Sequence, residues 1–273
     1  MTITTRDQLI DALANNASRV VIDKASLANA VAGQVFSLWR ATGVPGQGAI
    51  PAAAAICDHT LLGAIGFAQQ VAPATSYAAW LRMVTSNATM SVEIHDRLAH
   101  MGGLNGTLTT AQTVNVDITG TTNNLANRRG DANYSDVSWW LEWYTDTGAT
   151  ASNATVAVTY DDGSTGNLAA IAVGGTVRAG RMIPLVPAVA GRFIRAVTSV
   201  TLSASTATAG SFGVTATRVR AAADTFVANK AEQFDWALLG LPEIFNSSCL
   251  FPVVICSTTS TGTVRGQGKI AHG

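Results

Sequence analysis

The sequence has little charge. Only 12% of its 273 residues are Asp, Glu, Lys or Arg, against roughly 25% in ordinary soluble proteins. The 17 basic and 17 acidic residues cancel, so there is neither the basic excess of a nucleic-acid-binding protein nor an acidic surface for cations. With 48% hydrophobic residues and a mean hydropathy of +0.25, a free monomer would have little charge to keep it dispersed. We therefore expect a subunit that works inside an assembly and binds no nucleic acid.

Long apolar runs and a secretory leader are also missing. The first residues, MTITTRDQ, carry neither the basic region nor the apolar stretch of a signal peptide. We therefore expect the protein to stay in the compartment where it is made. No run approaches the ~18 to 20 apolar residues that a membrane-spanning helix needs, and we expect no membrane partner.

Cysteine is scarce. Cys57, Cys249 and Cys256 cannot all pair, because their number is odd. Cys249 and Cys256 are an odd number of residues apart in an extended segment, so they would face opposite sides of a strand. The sequence thus predicts free, buried thiols rather than a disulfide.

What the sequence does contain is β-type alternation. Between residues 77 and 222, apolar side chains alternate with Thr and Ser. The clearest case is a predicted hairpin, in which residues 153–160 alternate, 161–167 turn and 168–173 return. Further candidate strands are 79–84, 91–98, 113–118, 137–144, 193–202 and 212–219. This pattern predicts a mainly β fold with an antiparallel β-sandwich or jelly-roll-like core, plus a helical piece near 125–129.

The two ends differ from this central part. Thr5 and Gln8 have the spacing of a capping box and predict a helix over 6–14, followed by a strand at 20–23. Ser26 is expected to cap a second helix that ends at Gly43. Its inward residues would be Leu27, Val31, Val35, Phe36, Leu38 and Trp39.

The tail is unusually apolar and ends in a polar, Gly-rich run at 258–268. It is interpreted as an extended C-terminal arm that docks on a neighbour or, alternatively, as a cover over one end of the sandwich. We expect three segments: an N-terminal helical and loop region at 1–76, the β-sandwich domain at 77–222 and the C-terminal arm at 223–273.

Two constellations were weighed as chemical sites. His95, Asp96 and His100 could share a cation, but neighbours on a strand point to opposite faces, so convergence would need a bulge. Cys57-Asp58-His59 has the residue types of a nucleophile and base, yet three adjacent residues cannot converge without a special backbone. We therefore expect no enzyme activity, no catalytic residue, no bound metal and no cofactor.

Three further motifs have simpler interpretations. Residues 161–163 (DDG) lack the spaced ligands of a calcium loop and predict a turn. Residues 129–131 (RGD) form an adhesion-like tripeptide that arises by chance in many chains. The cluster WWLEWY at 139–144 could stack on sugars, although alternation favours one face in the core and the other in an interface or a second core layer.

Several segments together resemble structural proteins encoded in the genomes of tailed bacteriophages. They are DANYSDVSWWLEWYTDTGAT at 131–150, DRLAHMGGL at 96–104 and VTLSAS at 200–205, and the resemblance runs from LWR at 38–40 onwards. It implies a head-associated decoration or minor capsid subunit without enzyme activity, located in the virion and assembled in the cytoplasm of the bacterial host. No long spine-type helix is predicted, which disfavours the main shell protein itself.

The leading hypothesis is a β-sandwich protein that bridges and stabilises the shell of an icosahedral head. Its partners would be copies of itself, with a homotrimer suited to the local symmetry of a shell, and the major capsid protein or other virion subunits. The expected contact residues are Trp140, Tyr144, Phe234, Trp236 and Phe245. The alternatives are a tail or neck component (tube, connector or fibre) and a module that binds glycans on the host surface.

Overall fold

The computed structural model describes residues 2–273, and this part of the chain is mainly β, with small helices. The helical segments are α1 (Arg6–Asn15), a 3-10 turn (Thr122–Asn124), α2 (Leu125–Arg128) and α3 (Trp236–Leu239). The strands are β1 (Ala17–Lys24), β2 (Val35–Ser37), β3 (Gly43–Val44), β4 (Ala55–Ile56), β5 (Ser76–Thr85), β6 (Met90–Leu104), β7 (Gln112–Asp117), β8 (Ser138–Thr145), β9 (Asn153–Tyr160), β10 (Thr165–Asn167), β11 (Ile171–Ala172), β12 (Arg181–Pro184), β13 (Ile194–Leu202), β14 (Ser211–Thr225), β15 (Glu232–Asp235), β16 (Leu250–Ile255) and β17 (Val264–His272). None of the helices within residues 2–273 has the length and apolar character to span a bilayer.

The chain forms two compact units, each assembled from separate stretches of sequence. Unit 1 contains the residues up to Gly48, Asp58–Asp96 and Val219–Gly273, and unit 2 contains Ala49–Cys57 and Arg97–Arg218. Strands β6 and β14 therefore each begin in one unit and end in the other. The division into three segments at residues 76 and 222 stays a prediction.

Unit 1 packs two antiparallel layers against each other. One is a five-stranded sheet in the order β15-β5-β17-β1-β3. The other contains β2, β16 and the first part of β6. Along β1, Val20 and Ile22 are buried while Val21 is exposed, so alternation assigns one face of the strand to the core. The core includes Phe36, Leu81, Met83, Val92, Ile94, Leu250, Val254 and Ile270.

Unit 2 repeats this layered arrangement. Its first sheet has the order β10-β9-β13-β7, and β11 adds to β9. The facing strands are β12, β8 and the first part of β14, which pair in that order, and the last part of β6, which pairs with β4. Large side chains from both layers fill the space between them, and they include Trp139, Leu141, Trp143, Val156, Val158, Val197, Val200, Phe212 and Val214. The antiparallel sandwich predicted from alternation is confirmed.

Local signals were reliable where they came with a strong pattern. The capping box of α1 is present, because the Thr5 hydroxyl accepts from the Gln8 backbone N–H and the Gln8 side chain accepts from the Thr5 N–H. The hairpin is confirmed: β9 ends at Tyr160 and residues 161–164 turn. The chain then returns along β9 through β10 and β11. The six other candidate strands correspond to β5, β6, β7, β8, β13 and β14. Cys57, Cys249 and Cys256 are buried and form no disulfide within residues 2–273, as predicted.

The prediction of a second helix between Ser26 and Gly43 is wrong. The segment after Ser26 is irregular and leads into the short strand β2, where Phe36 pairs with Val254 of β16. Asn29 and Gly33 have positive φ values of 61° and 78°, which a helix cannot contain. The apolar residues whose spacing suggested one face of a helix lie in strand β2 and in the turns around it. Pairing of β2 with β16 outweighs the local propensity of this segment to form a helix.

The last part of the chain, which the sequence suggested to be a C-terminal arm, contributes strands to the sheets of unit 1. Strand β16 lies between β2 and β6, and β17 lies between β1 and β5, so both are internal strands of unit 1. Strand β16 is buried on both faces, which explains why its residues form a continuous apolar run. The glycine-rich run enters β17, where Gly266 leaves room for the side chain of Met83.

Candidate interaction surface

Unit 2 contains a buried polar cluster of ionisable side chains. Arg97 of β6 donates to the Glu142 carboxylate at 2.6 Å and to the Thr215 hydroxyl at 3.1 Å, while Thr215 donates to the other Glu142 oxygen at 2.5 Å. The Tyr144 hydroxyl lies 3.4 Å from the same carboxylate. All four residues are buried, so the cluster joins the strands of unit 2 and has no surface open to a substrate.

The protonation states of Arg97 and Tyr144 follow from their burial and from the nearby Glu142 carboxylate. Burial is the largest single influence and would lower the pKa of Arg97, but the Glu142 carboxylate and the neighbouring Tyr144 phenol together outweigh it, and the pKa is raised. Burial, and then the same carboxylate, raise the pKa of Tyr144, which keeps its phenol neutral. The cluster therefore holds one buried ion pair with neutral hydrogen-bonding neighbours.

The residues weighed for metal binding are held in separate contacts. His95 lies 2.7 Å from the Glu93 carboxylate and packs edge-on against Phe251, whereas Asp96 accepts the backbone N–H of Cys249 at 2.8 Å. His100 approaches the Arg97 guanidinium at 3.3 Å. Within residues 2–273, no three His, Cys, Asp or Glu side chains are grouped so that they could hold a metal ion.

The Cys57-Asp58-His59 sequence does not form a nucleophile and base. Backbone groups of Cys57 bond to the Leu98 carbonyl at 3.0 Å and to the Arg128 guanidinium at 2.7 Å, so this position ties the chain to its neighbours. The Asp58 carboxylate accepts from the backbone and hydroxyl of Thr60 in a local turn.

The RGD tripeptide is anchored within unit 2. Arg129 donates to the carbonyl of Ile118 at 2.6 Å and lies 5.1 Å from the ring centre of Tyr134. Gly130 has φ +84°, and a side chain there would collide with the Asp136 carboxylate. The guanidinium is therefore committed to intramolecular contacts. Residues 161–163 form a turn, as predicted, with Asp161 and Asp162 both paired to Arg192.

The tryptophan cluster is largely interior. Trp139 donates to the Ile194 carbonyl at 2.8 Å, and Trp143 stacks on Phe212 with ring centres 5.4 Å apart. Tyr144 is 2% exposed, so its side chain lies inside unit 2 and not at its surface. Trp140 is half-buried and donates to the Thr217 hydroxyl at 2.9 Å. These positions leave no platform of adjacent indole faces on which a sugar could stack.

The expected contact residues near the C-terminus belong to unit 1 and differ in exposure. Phe234 is half-buried and packs against the core. Phe245 is half-buried beneath Arg220, whose guanidinium lies 5.3 Å from the ring centre. Trp236 begins α3 and is 38% exposed. Their role, and that of Trp140, as contacts to other subunits stays a prediction.

The strongest candidate surface is an edge of unit 1 that we call the apolar edge. It consists of the edge strand β15, Phe226 and Val227 before it, and Leu238 after it. Phe226 is 65% exposed, Val227 51% and Leu238 72%. Strand β15 pairs with β5 on one side and ends the five-stranded sheet, so its other side offers backbone groups for pairing. Exposed apolar side chains beside a free strand edge are typical of a protein contact site.

Two features were missed at the level of sequence. Arg97 and Glu142 form a buried pair, and one signal was available: Glu142 stands between large apolar residues in the predicted strand 137–144. Lys24 is likewise buried and donates to the carbonyls of Ala41, Pro45 and Gly46 at 3.0, 2.7 and 3.2 Å. Burial lowers the pKa of Lys24 to about 8. A Gly/Pro loop that encloses an ammonium group has no signature in the sequence.

Comparisons with known proteins do not define a family. No family model and no curated protein matches the sequence. Among solved structures, infectious bursal disease virus Gt strain aligns at 12% identity over 94% of this chain and 80% of that chain, with a TM-score of 0.20. The VP2 subviral particle of the same virus aligns at 11% identity over 94% and 79%, with a TM-score of 0.18. Scores this low do not establish a common fold.

Proposed function

We propose that this chain is a non-enzymatic structural subunit of a virus particle. More specifically, we propose a decoration or minor capsid (cement) protein that binds and stabilises the head shell of a tailed bacteriophage. The observation that carries the proposal is the apolar edge of unit 1, which leaves Phe226, Val227 and Leu238 in water in a chain with only 12% charged residues. Such a surface is stable when a neighbouring subunit covers it.

The composition supports the same role. A net charge of 0 leaves little electrostatic repulsion between copies, which favours close packing over dispersal. Rigid antiparallel layers suit a subunit that must keep its shape in a shell. The partners in this proposal are copies of the same chain, in a closed oligomer such as a trimer, and the major capsid protein or another virion subunit. Its location is the virion, after assembly in the host cytoplasm.

The apolar edge can be tested by charge substitution. The double variant F226E/L238E places two carboxylates where a partner would bury apolar side chains, each worth about 1.5–3 kcal/mol. We expect at least a tenfold weaker association with purified particles stripped of this protein, measured by co-sedimentation. The control is Val71→Glu, because Val71 is 85% exposed in the same unit and lies outside the edge.

Both proteins must first show the circular dichroism spectrum and urea midpoint of the wild type. Loss of particle binding in the double variant and not in V71E supports a contact through the apolar edge. Equal binding by all three proteins contradicts it. Binding of the wild type to tail fragments rather than to heads would move the chain to the tail or neck.

A further inference from the structure

A cleft of about 350 Å³ opens in unit 1, next to α3. It lies on the face of the five-stranded sheet that is turned away from the core, since Leu81 is buried in the core and its neighbour Trp80 projects to the other side. Its lining residues are Leu13, Ala79, Trp80, Asp235, Trp236 and Lys269. Leu238 of the apolar edge is not among them.

Three of the lining residues stand side by side on adjacent strands. Asp235 of β15 pairs with Trp80 of β5, and Trp80 pairs with Lys269 of β17. Residues paired across antiparallel strands project to the same face, with Cβ atoms roughly 5 Å apart. A carboxylate and an ammonium group therefore flank one indole ring, and Trp236 supplies a second indole to the same cleft.

The charged groups of the cleft are only partly used. Oδ1 of Asp235 caps α3 by accepting the backbone N–H groups of Ala237 and Leu238, both at 3.0 Å. Oδ2 of Asp235 accepts no hydrogen bond from residues 2–273. Nζ of Lys269 donates to the Leu13 carbonyl at 2.7 Å, which leaves two of its three N–H donors. The cleft thus offers both an acceptor and donors held in place by the fold.

The indole groups are unused as well. In unit 2, Trp139 and Trp140 donate their N–H groups to a carbonyl and to a hydroxyl. Neither Trp80 nor Trp236 has an acceptor for its indole N–H in the part of the chain that the structure describes. Trp80 is half-buried and Trp236 is 38% exposed, so both indoles reach solvent, and a ligand that brings an acceptor can use their N–H groups.

The chemistry of these groups fits a neutral pyranose sugar. A pyranose ring has C–H faces that pack on indoles and a rim of hydroxyls that both donate and accept, which matches Asp235, Lys269 and the indole N–H groups. The opposite charges of Asp235 and Lys269 cancel, so the cleft does not attract a phosphorylated ligand. A purely apolar ligand would leave both charged groups without partners.

We propose that the Trp80–Trp236 cleft is a carbohydrate-binding site for a neutral pyranose unit. It is a further activity of the chain and does not depend on its place in a particle. In this site Trp80 and Trp236 provide the stacking faces, Asp235 accepts from sugar hydroxyls and Lys269 donates to them.

The test uses saturation-transfer NMR and fluorescence titration with glucose, galactose, mannose and N-acetylglucosamine, each up to 50 mM. At least one sugar is expected to bind the wild type. Trp236→Ala is expected to weaken that binding about tenfold, as for the loss of one aromatic contact. Trp236→Phe retains a ring face and should restore part of the affinity. Asp235→Asn keeps a good helix cap and removes the charge, and we expect a roughly threefold loss.

The matched control is Trp140→Phe, which changes a half-buried tryptophan of unit 2. It should leave sugar binding unchanged, while all variants keep the wild-type circular dichroism spectrum. Absence of binding by every sugar overturns the proposal. Binding that is unchanged in Trp236→Ala and Asp235→Asn also overturns it, because the sugar then occupies another site.

Discussion

The guanidinium of Arg97 and the carboxylate of Glu142 are 2.6 Å apart and both are buried in unit 2. Removing either partner of such a pair would leave an uncompensated charge in the interior, which is strongly destabilising. The pair links β6 to β8 in the same unit, and Thr215 of β14 completes the connection. It is the point in the fold where a single substitution should have the largest electrostatic effect.

We predict that Glu142→Gln destabilises the protein by about 3–5 kcal/mol, because it leaves the Arg97 charge buried without its counter-ion. The double variant R97M/E142L should lose less than the sum of the two single changes, since no charge then remains buried. Urea unfolding gives these values. The control pair is Arg178 and Asp146, which is solvent-exposed and should be worth about 1 kcal/mol or less. Equal effects at the two pairs would contradict the buried-pair account.

A second prediction concerns Gly213 of β14. A side chain at this position would overlap the Met101 carbonyl and come within 2.6 Å of the Gly102 Cα, so the two backbones pass each other closely. We expect Gly213→Ala to cost about 3 kcal/mol, the upper range for overpacking. Gly120→Ala is the matched control, because nothing lies within 4 Å of its added methyl group. The measurement is the thermal unfolding of both variants. A Gly213→Ala protein as stable as the wild type would show that β6 and β14 do not pass each other as closely as described.

A third prediction is a loss of stability in mild acid through His272. Its Nε2 accepts the Ser18 backbone N–H at 3.2 Å, and its Nδ1 lies 2.8 Å from the Ser76 hydroxyl, which fits a neutral ring. Burial lowers the pKa of His272 below its ordinary value of 6.5. The unfolded chain therefore binds a proton first as the pH falls. Stability is fully present above about pH 6.5 and declines below it, by at most about 1.4 kcal/mol per pH unit for one proton.

The check is urea unfolding of wild type and His272→Asn between pH 5 and 8. The variant is less stable at pH 8 because it loses hydrogen bonds, but its stability should fall less between pH 7 and 5. His59→Asn serves as the control, since His59 lies in the loop between β4 and β5, whereas His272 ends strand β17. If the wild type and His272→Asn follow parallel pH curves, His272 does not titrate with unfolding.

Much of the fold follows from the sequence because its causes are local. Alternating burial along β5, β7 and β9 matches the alternation of apolar residues, and the Thr5–Gln8 capping box begins α1 where predicted. The Ser26–Gly43 segment shows the limit. Its apolar spacing suits a helix, but the positive φ of Gly33 and the pairing of β2 with β16, more than 200 residues away, decide its structure.

The candidate surfaces were less predictable for a related reason. Asp235, Trp80 and Lys269 are far apart in the sequence and meet only through the register of β15, β5 and β17. Tyr144 is buried because residues of unit 2 pack on both faces of β8. The alternation of side chains along a strand does not tell whether its second face is buried or exposed. Contacts with other subunits were expected from the apolar residues near the C-terminus. Trp236 and Leu238 are exposed there, whereas strand β16 is internal.

We propose above all that the chain is a structural subunit of a virus particle. The most direct measurement is its copy number per purified particle, by quantitative mass spectrometry against the other virion proteins. We expect hundreds of copies per particle, as for a decoration or minor capsid protein, and we expect imaging to locate these copies on the head. Between about three and twelve copies would place the chain in the neck or tail tip, and absence from the particles would contradict the structural role altogether.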